Sequence, residues 1–298
     1  MTTIPVTNST APLIVLFHGL SSSPLELNFI SNVLKKQGFR VETPALKGYG
    51  FGDQAGTWDE WLNEATNFVS NLQKQEMMQL SVGGISLGAT LALGVATKLD
   101  GINAIICLST TLNYNGWAIP WYRILTTFGI WLGLGESFKY KERDPFGIKN
   151  IQIRAYIKKA MIQQNISEVG GSYMTLNHIA QADKLCSYVR KNLANVTAPV
   201  LAIHAVDDEI ANPNNVELLF KKISSAFKRA IYLGNSYHMI TVDNERETVA
   251  NESAAFLKEI YDQSANEKIR EKIISPELQR FLRVEKSHQE LNKLTKGN

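Results

Sequence analysis

Two hydrophobic rhythms alternate along most of the chain. The first is the short, unbroken apolar run, clearest in Leu13 to Phe17 (LIVLF), Ile102 to Leu108 and Pro199 to His204 (PVLAIH). Runs of this kind suit strands buried on both faces of a parallel sheet. Phe39 to Thr43, Gln79 to Val82 and Arg229 to Leu233 are shorter examples. The second rhythm is helical. Leu27, Ile30, Val33 and Leu34 share a face in a segment stopped by Gly38, and Trp61, Ala65, Phe68 and Leu72 share another in a segment ending near Gln75. Ser23 with Glu26, and Thr57 with Glu60, have capping-box spacing at the starts of these helices, and Pro24 suits a first helical position. Asn212-Pro213 opens a further helix to about Ile223, and Glu247 to Tyr261 reads as the last. Strands and helices alternating in this way predict an α/β protein, a mostly parallel sheet with helices on both faces.

The alternation lapses after about Thr111. Asn113 to Ala194 contains no strong strand, and aromatics crowd its first third: Trp117, Trp121, Tyr122, Phe128, Trp131, Phe138 and Tyr140. Ile151 to Gln164 and Ala180 to Asn192 read as helices, joined by a looser piece with Gly170-Gly171. The expected organisation is a core of residues 12–112 and 195–262, a helical cap inserted at 113–194, and a charged helical tail at 263–298. The cap would sit at the carboxyl edge of the sheet, where open α/β sheets place ligands. Ser275-Pro276 is a plausible helix start in the tail, which reads as a solvated appendage.

Composition narrows the function classes. The 298 residues are 44% hydrophobic and 20% charged, with a formal charge of +3, and the basic residues are scattered outside the tail. That balance supports a large core and no nucleic-acid-binding face. The two cysteines, Cys107 and Cys186, have no metal-ligand or redox spacing, and no metal or cofactor is expected. Leu13 to Phe17 is too short for a signal segment, and no stretch reaches the roughly 18 apolar residues of a membrane span. The expectation is a cytoplasmic protein.

The stretch with chemistry in it is Gly84-Ile85-Ser86-Leu87-Gly88, a G-x-S-x-G between a strand and the apolar helix Leu87 to Leu99. In that context the pattern reads as a nucleophile elbow, with a strained serine whose neighbours two positions away must be small. A serine nucleophile needs an imidazole base and a carboxylate to orient it, and in this architecture the chain order is Ser, acid, His. Among five histidines, His18 precedes Ser86, His178 falls before any acid loop, His204 ends a strand and His288 lies in the polar tail. His238, in the loop after a late strand, remains as the base. Asp207, Asp208 and Glu209 follow the Pro199 to His204 strand. Asp208 is preferred, with Asp207, which could instead brace its loop, as the competitor. Two backbone N–H groups should stabilise the oxyanion: Leu87, directly after the nucleophile, and Leu20, in the loop after the first strand, with His18 shaping that turn.

These residues together resemble the α/β-hydrolase superfamily, and more narrowly the cytosolic bacterial serine carboxylesterases and monoacylglycerol lipases. His18-Gly19-Leu20, Lys47-Gly48-Tyr49-Gly50, the elbow, Asp208 to Pro213 and Tyr237-His238-Met239-Ile240-Thr241 carry the likeness, over about Leu13 to Tyr261. The register of Asn212-Pro213 in that family supports Asp208 over Asp207. The resemblance implies a carboxylic ester hydrolase working through an acyl-enzyme without cofactor. The aromatic insertion suggests a small-molecule ester with an apolar acyl or aryl group. A thioesterase or lysophospholipase would share these residues, and a non-catalytic ligand-binding or membrane-docking member is the remaining alternative.

Overall fold

The computed structural model describes residues 11–76, 79–120, 123, 125–164, 166–167, 170–262 and 273–274. In chain order the first half contains β1 (Leu13–Phe17), α1 (Asn28–Lys36), β2 (Arg40–Glu42), α2 (Trp58–Glu76), β3 (Leu80–Ile85), α3 (Leu87–Ala96) and β4 (Ile102–Leu108). The middle contains α4 (Thr126–Trp131), β5 (Lys139–Lys141), α5 (Ile151–Gln164), β6 (Ile166–Ser167), β7 (Gly170–Gly171), β8 (Tyr173–Thr175) and α6 (Leu176–Asn192). The last part contains β9 (Val200–Ala205), α7 (Asn214–Lys222), β10 (Lys228–Leu233), α8 (Arg246–Tyr261) and β11 (Ile273–Ile274).

The main sheet has seven strands in the order β11-β10-β9-β4-β3-β1-β2, and every neighbouring pair is parallel. Strand side chains alternate between two cores, as the two-residue period of a strand demands. Leu13, Val15 and Phe17 of β1 point into the cluster with α2, α3, α6 and α7, whereas Ile14 and Leu16 point into the cluster with α1, α8 and part of α5. All five residues of β1 are buried, which is why its run is apolar without alternation.

The middle segment departs from expectation in two ways. It contains strands: β5 pairs antiparallel with β8, and β6 with β7. These pieces are two or three residues long, too short for a periodic signal to develop. Helix α6 also starts earlier than its composition suggests, because the Thr175 side chain caps it by accepting the His178 N–H. Its later residues Ala182, Leu185, Cys186 and Val189 pack in the same core cluster as α3. In the tail, Ile273 and Ile274 pair with Ile231 and Tyr232 at the sheet edge. That strand stands where a helical segment was expected, and the remaining tail expectations, Ser275-Pro276 and His288 included, lie outside the described residues. Among the described residues no helix is long and apolar enough to cross a membrane.

The two capping boxes have different fates. Thr57 N–H donates to the Glu60 carboxylate at 2.7 Å and Glu60 N–H to Thr57 Oγ1 at 3.4 Å, so the box at α2 forms. At the other, Ser23 Oγ accepts the Leu25 N–H, but Glu26 turns inward and does not complete the box. It opens a 3-10 turn, Pro24–Leu27, ahead of α1. Thr57→Ala should lower stability by about 1 kcal/mol, read as a shift of the denaturation midpoint with an unchanged slope.

Candidate active site

Five adjacent parallel strands, β1, β3, β4, β9 and β10, run into loops at one edge of the sheet. His18, Ser86, Ser109, Asp208 and His238 all lie within a few residues of those strand ends. A parallel sheet thus gathers residues from distant parts of the chain onto one rim.

Ser86 stands between β3 and α3 with φ 57° and ψ −122°, a backbone conformation side-chain-bearing residues rarely adopt. The strained turn is held because its flanks have no side chains. A Cβ on Gly84 would lie 2.5 Å from the Gly88 carbonyl and the Phe17 carbonyl oxygen, and one on Gly88 would lie 2.2 Å from the Phe17 oxygen. The elbow therefore sits directly on the end of β1, and the loop leaving β1 passes beside the serine. A Cβ on Gly19 would be 3.6 Å from Ser86 Cβ.

A continuous hydrogen-bonded line runs from Ser86. Its Oγ is 2.8 Å from His238 Nε2, and His238 Nδ1 is 2.8 and 2.9 Å from the two oxygens of Asp208. Asp208 is buried, and its Oδ1 accepts the N–H groups of Ile210 and Ala211 at 2.9 and 2.8 Å. His204 Nε2 approaches its Oδ2 at 3.2 Å. Burial opposes the charge, but His238, His204 and their hydrogen bonds outweigh it and hold Asp208 well below the usual carboxylate range. Asp207, the competing acid, faces away: its carboxylate accepts from Lys149 Nζ at 2.8 Å and its carbonyl from Trp117 Nε1.

The other histidines have separate places. His18 Nδ1 donates to the Gly19 carbonyl at 2.8 Å, and the His18 carbonyl accepts the Tyr49 hydroxyl at 3.0 Å, so this residue braces its own turn. His178 sits in the first turn of α6 against Thr175. Leu87 is the first residue of α3, where a backbone N–H has no intrahelical acceptor. Leu20 lies in the loop beside Ser86 and lines the same cavity. Among the described residues no group of three or more His, Cys, Asp or Glu side chains is arranged to hold a metal ion.

That cavity has a volume of about 530 Å3. Ser86, His238, Glu26 and Glu209 form part of its wall, while Phe128, Leu132, Phe138, Met174 and Ile179 from the middle segment form much of the rest.

The profile of the family described as "Serine aminopeptidase, S33" matches residues 8–245. The chain belongs to that family. This S33 hydrolase is similar to a thermostable monoacylglycerol lipase from Bacillus sp., 24% identical over 246 residues that span 82% of this chain and 89% of the relative. It is also similar to a carboxylesterase from Bacillus subtilis, 18% identical over 252 residues, 83% of this chain and 92% of the relative. Among solved structures, a soluble variant of the Saccharomyces cerevisiae monoglyceride lipase with a substrate analog matches with a TM-score of 0.70 at 17% identity, covering 86% of this chain and 88% of that one. The shared architecture is the α/β-hydrolase fold.

Thr111 and Asp243 of the S33 hydrolase reach the site without a sequence signal, and Glu209, named only as a neighbour of Asp208, has a place there of its own. Thr111 Oγ1 lies 3.3 Å from Ser86 Oγ. Glu209, buried, accepts the His238 N–H at 3.1 Å, and burial pushes its pKa up to about 7. Asp243 is buried and accepts the N–H groups of Tyr237, Lys149, Asn150 and Asn244 at 2.7–2.9 Å. It thereby ties the loop of His238 to the residues before α5. The elbow contact is testable on its own. Gly88→Ala should cost about 3 kcal/mol or more, measured by chemical denaturation, because the new methyl meets backbone that cannot yield.

Proposed function

We propose that this chain is a serine esterase that cleaves carboxylic esters through an acyl-enzyme on Ser86. The observation that carries the reading is the line Ser86–His238–Asp208, with both junctions at 2.8 Å, whose Ser86 and His238 stand in the wall of a cavity with many apolar residues. Two relatives aligned over more than four fifths of the chain are named monoacylglycerol lipase and carboxylesterase, which favours esters over peptides despite the family's description.

In the first half-reaction Ser86 Oγ attacks the ester carbonyl carbon while His238 Nε2 takes its proton. The ionised Asp208 holds the imidazole through Nδ1–H and stabilises the imidazolium that forms. Negative charge on the carbonyl oxygen is met by the N–H groups of Leu20 and Leu87, each worth on the order of 10²–10³ in rate. Collapse of the tetrahedral intermediate breaks the C–O bond, and the alcohol leaves with the proton held by His238. Water then attacks the acyl-enzyme, giving its proton to His238 and releasing the acid. The apolar wall contributed by the middle segment accepts the acyl or aryl portion, as in a monoacylglycerol or a short-to-medium-chain ester.

Ser86 should label with a fluorophosphonate probe, and Ser86→Ala should abolish labelling and lower kcat/KM by about 10⁴-fold or more. Asp208→Asn should lower kcat by about 10⁴-fold, whereas Asp207→Asn should leave turnover near wild type. A wild-type serine inert to the probe would sink the proposal. Activity that falls steadily from acetyl to octanoyl nitrophenyl esters would remove the apolar acyl preference alone.

The reaction needs a neutral imidazole. Burial by itself would lower the His238 pKa, but the charge and hydrogen bond of Asp208, joined by Glu209 and Glu26, carry it above the ordinary value of 6.5. Below its pKa His238 carries a proton and cannot accept one from Ser86. The acid limb of a kcat/KM profile should therefore have its midpoint above pH 6.5; a midpoint near 5 would contradict this.

A further inference from the structure

Glu26 has the spacing of a surface capping residue, yet it is 1% exposed and lines the catalytic cavity. Its Oε1 accepts the Gly19 N–H, and its Oε2 accepts the Ser22 hydroxyl at 2.5 Å. One carboxyl group therefore grips both sides of the turn that carries Leu20. The peptide plane bearing the Leu20 N–H is held at its other end as well, since the Gly19 carbonyl accepts His18 Nδ1–H. Gly19 itself is squeezed between the two centres: a Cβ there would stand 3.3 Å from Glu26 Oε1 and 3.6 Å from Ser86 Cβ.

Burying a carboxyl is costly unless its hydrogen bonds repay the lost solvation. Here burial pushes the pKa up to about 7, against the opposing pull of Gly19, Ser22 and His238. A carboxyl is nevertheless a strong acceptor for a backbone N–H that has no strand partner. An oxyanion donor is most effective when it is already fixed in place before the charge develops. A glycine-containing turn left unbraced would have to be ordered during the reaction.

We propose that Glu26 is a positioning residue of the reaction: it fixes the Gly19–Leu20 turn so that the Leu20 N–H meets the developing oxyanion without rearrangement. This rests on the reading of Ser86 as the nucleophile of an ester hydrolase. Glu26 never touches substrate in this role; it acts through the backbone.

The test compares Glu26→Ala, Glu26→Gln and Ser22→Ala with wild type. Each is titrated with a fluorophosphonate so that rates refer to reactive Ser86, and each is assayed with one nitrophenyl ester and with a trifluoromethyl ketone that mimics the tetrahedral intermediate. Glu26→Ala should lower kcat about tenfold or more with KM nearly unchanged, and weaken the ketone in proportion to kcat. Glu26→Gln should restore most of kcat, because its amide oxygen can accept from Gly19 and its NH₂ can donate to Ser22. Ser22→Ala removes one of the two bonds and should give a smaller loss of the same kind, which carries the test should Glu26→Ala fail to fold. A Glu26→Ala or Ser22→Ala enzyme that melts earlier but keeps wild-type kcat per titrated site and wild-type ketone affinity overturns the proposal. So does a Gln variant no better than Ala. A wild type that does not label overturns the hydrolase reading itself, and is told apart by the failure of labelling before any variant is made.

Discussion

Ser86 can adopt its strained backbone because α3 rests against the carbonyl oxygens of Phe17 and His18, with nothing but glycine hydrogens between them. Two results follow from this one close approach. The helix that carries Leu87 N–H at its first position is brought to Ser86. The loop leaving β1 is forced alongside, so that Leu20 and Gly19 reach the same place from the opposite side. Both flanks of the elbow are backbone, and backbone cannot be trimmed to relieve a clash. The contact accordingly leaves little room for adjustment.

Around this point the fold buries carboxyl groups and treats them differently. Asp208 receives two backbone N–H groups and two histidines, and it is held ionised. Glu26 and Glu209, similarly buried, have fewer compensating partners, and burial carries each up to about 7. Glu142, on the cavity wall, is likewise raised by the loss of solvent around its carboxyl. Hydrogen bonding and neighbouring histidines thus hold one buried carboxylate ionised, while burial raises the others. Glu26 and Glu209 each accept a backbone N–H close to Ser86 or His238, at Gly19 and His238 respectively.

The middle segment is connected to the histidine by polar bonds as well as by the shared cavity. Met239 N–H donates to the Gly147 carbonyl, and Asp243 gathers the backbone of Tyr237, Lys149 and Asn150. Lys149 also reaches Asp207 and the Gly234 carbonyl. The residues before α5, the acid loop and the histidine loop therefore form one hydrogen-bonded unit.

Much of this was legible in the residues alone, wherever local rules decide. The unbroken run Leu13–Phe17 requires a strand with both faces covered, and the G-x-S-x-G between strand and helix requires a tight turn. The box Thr57/Glu60 forms as its spacing indicates. That Asp208 and His238 would be brought together with Ser86 could be expected, because chain order in this architecture leaves few candidates. Glu26 shows where such reading stops. Its spacing is that of a cap, but a turn from β1 presents the Gly19 N–H and Ser22 hydroxyl on its inner side, and the carboxyl follows the stronger, buried donors. Local spacing can say which partners lie within reach along the chain; only tertiary structure supplies acceptors and donors from elsewhere and removes the water that competes with them. The same limit hid Asp243, Thr111, the bond from the His238 N–H to Glu209 and the short strands β5 to β8, all of which exist through contacts made across the fold.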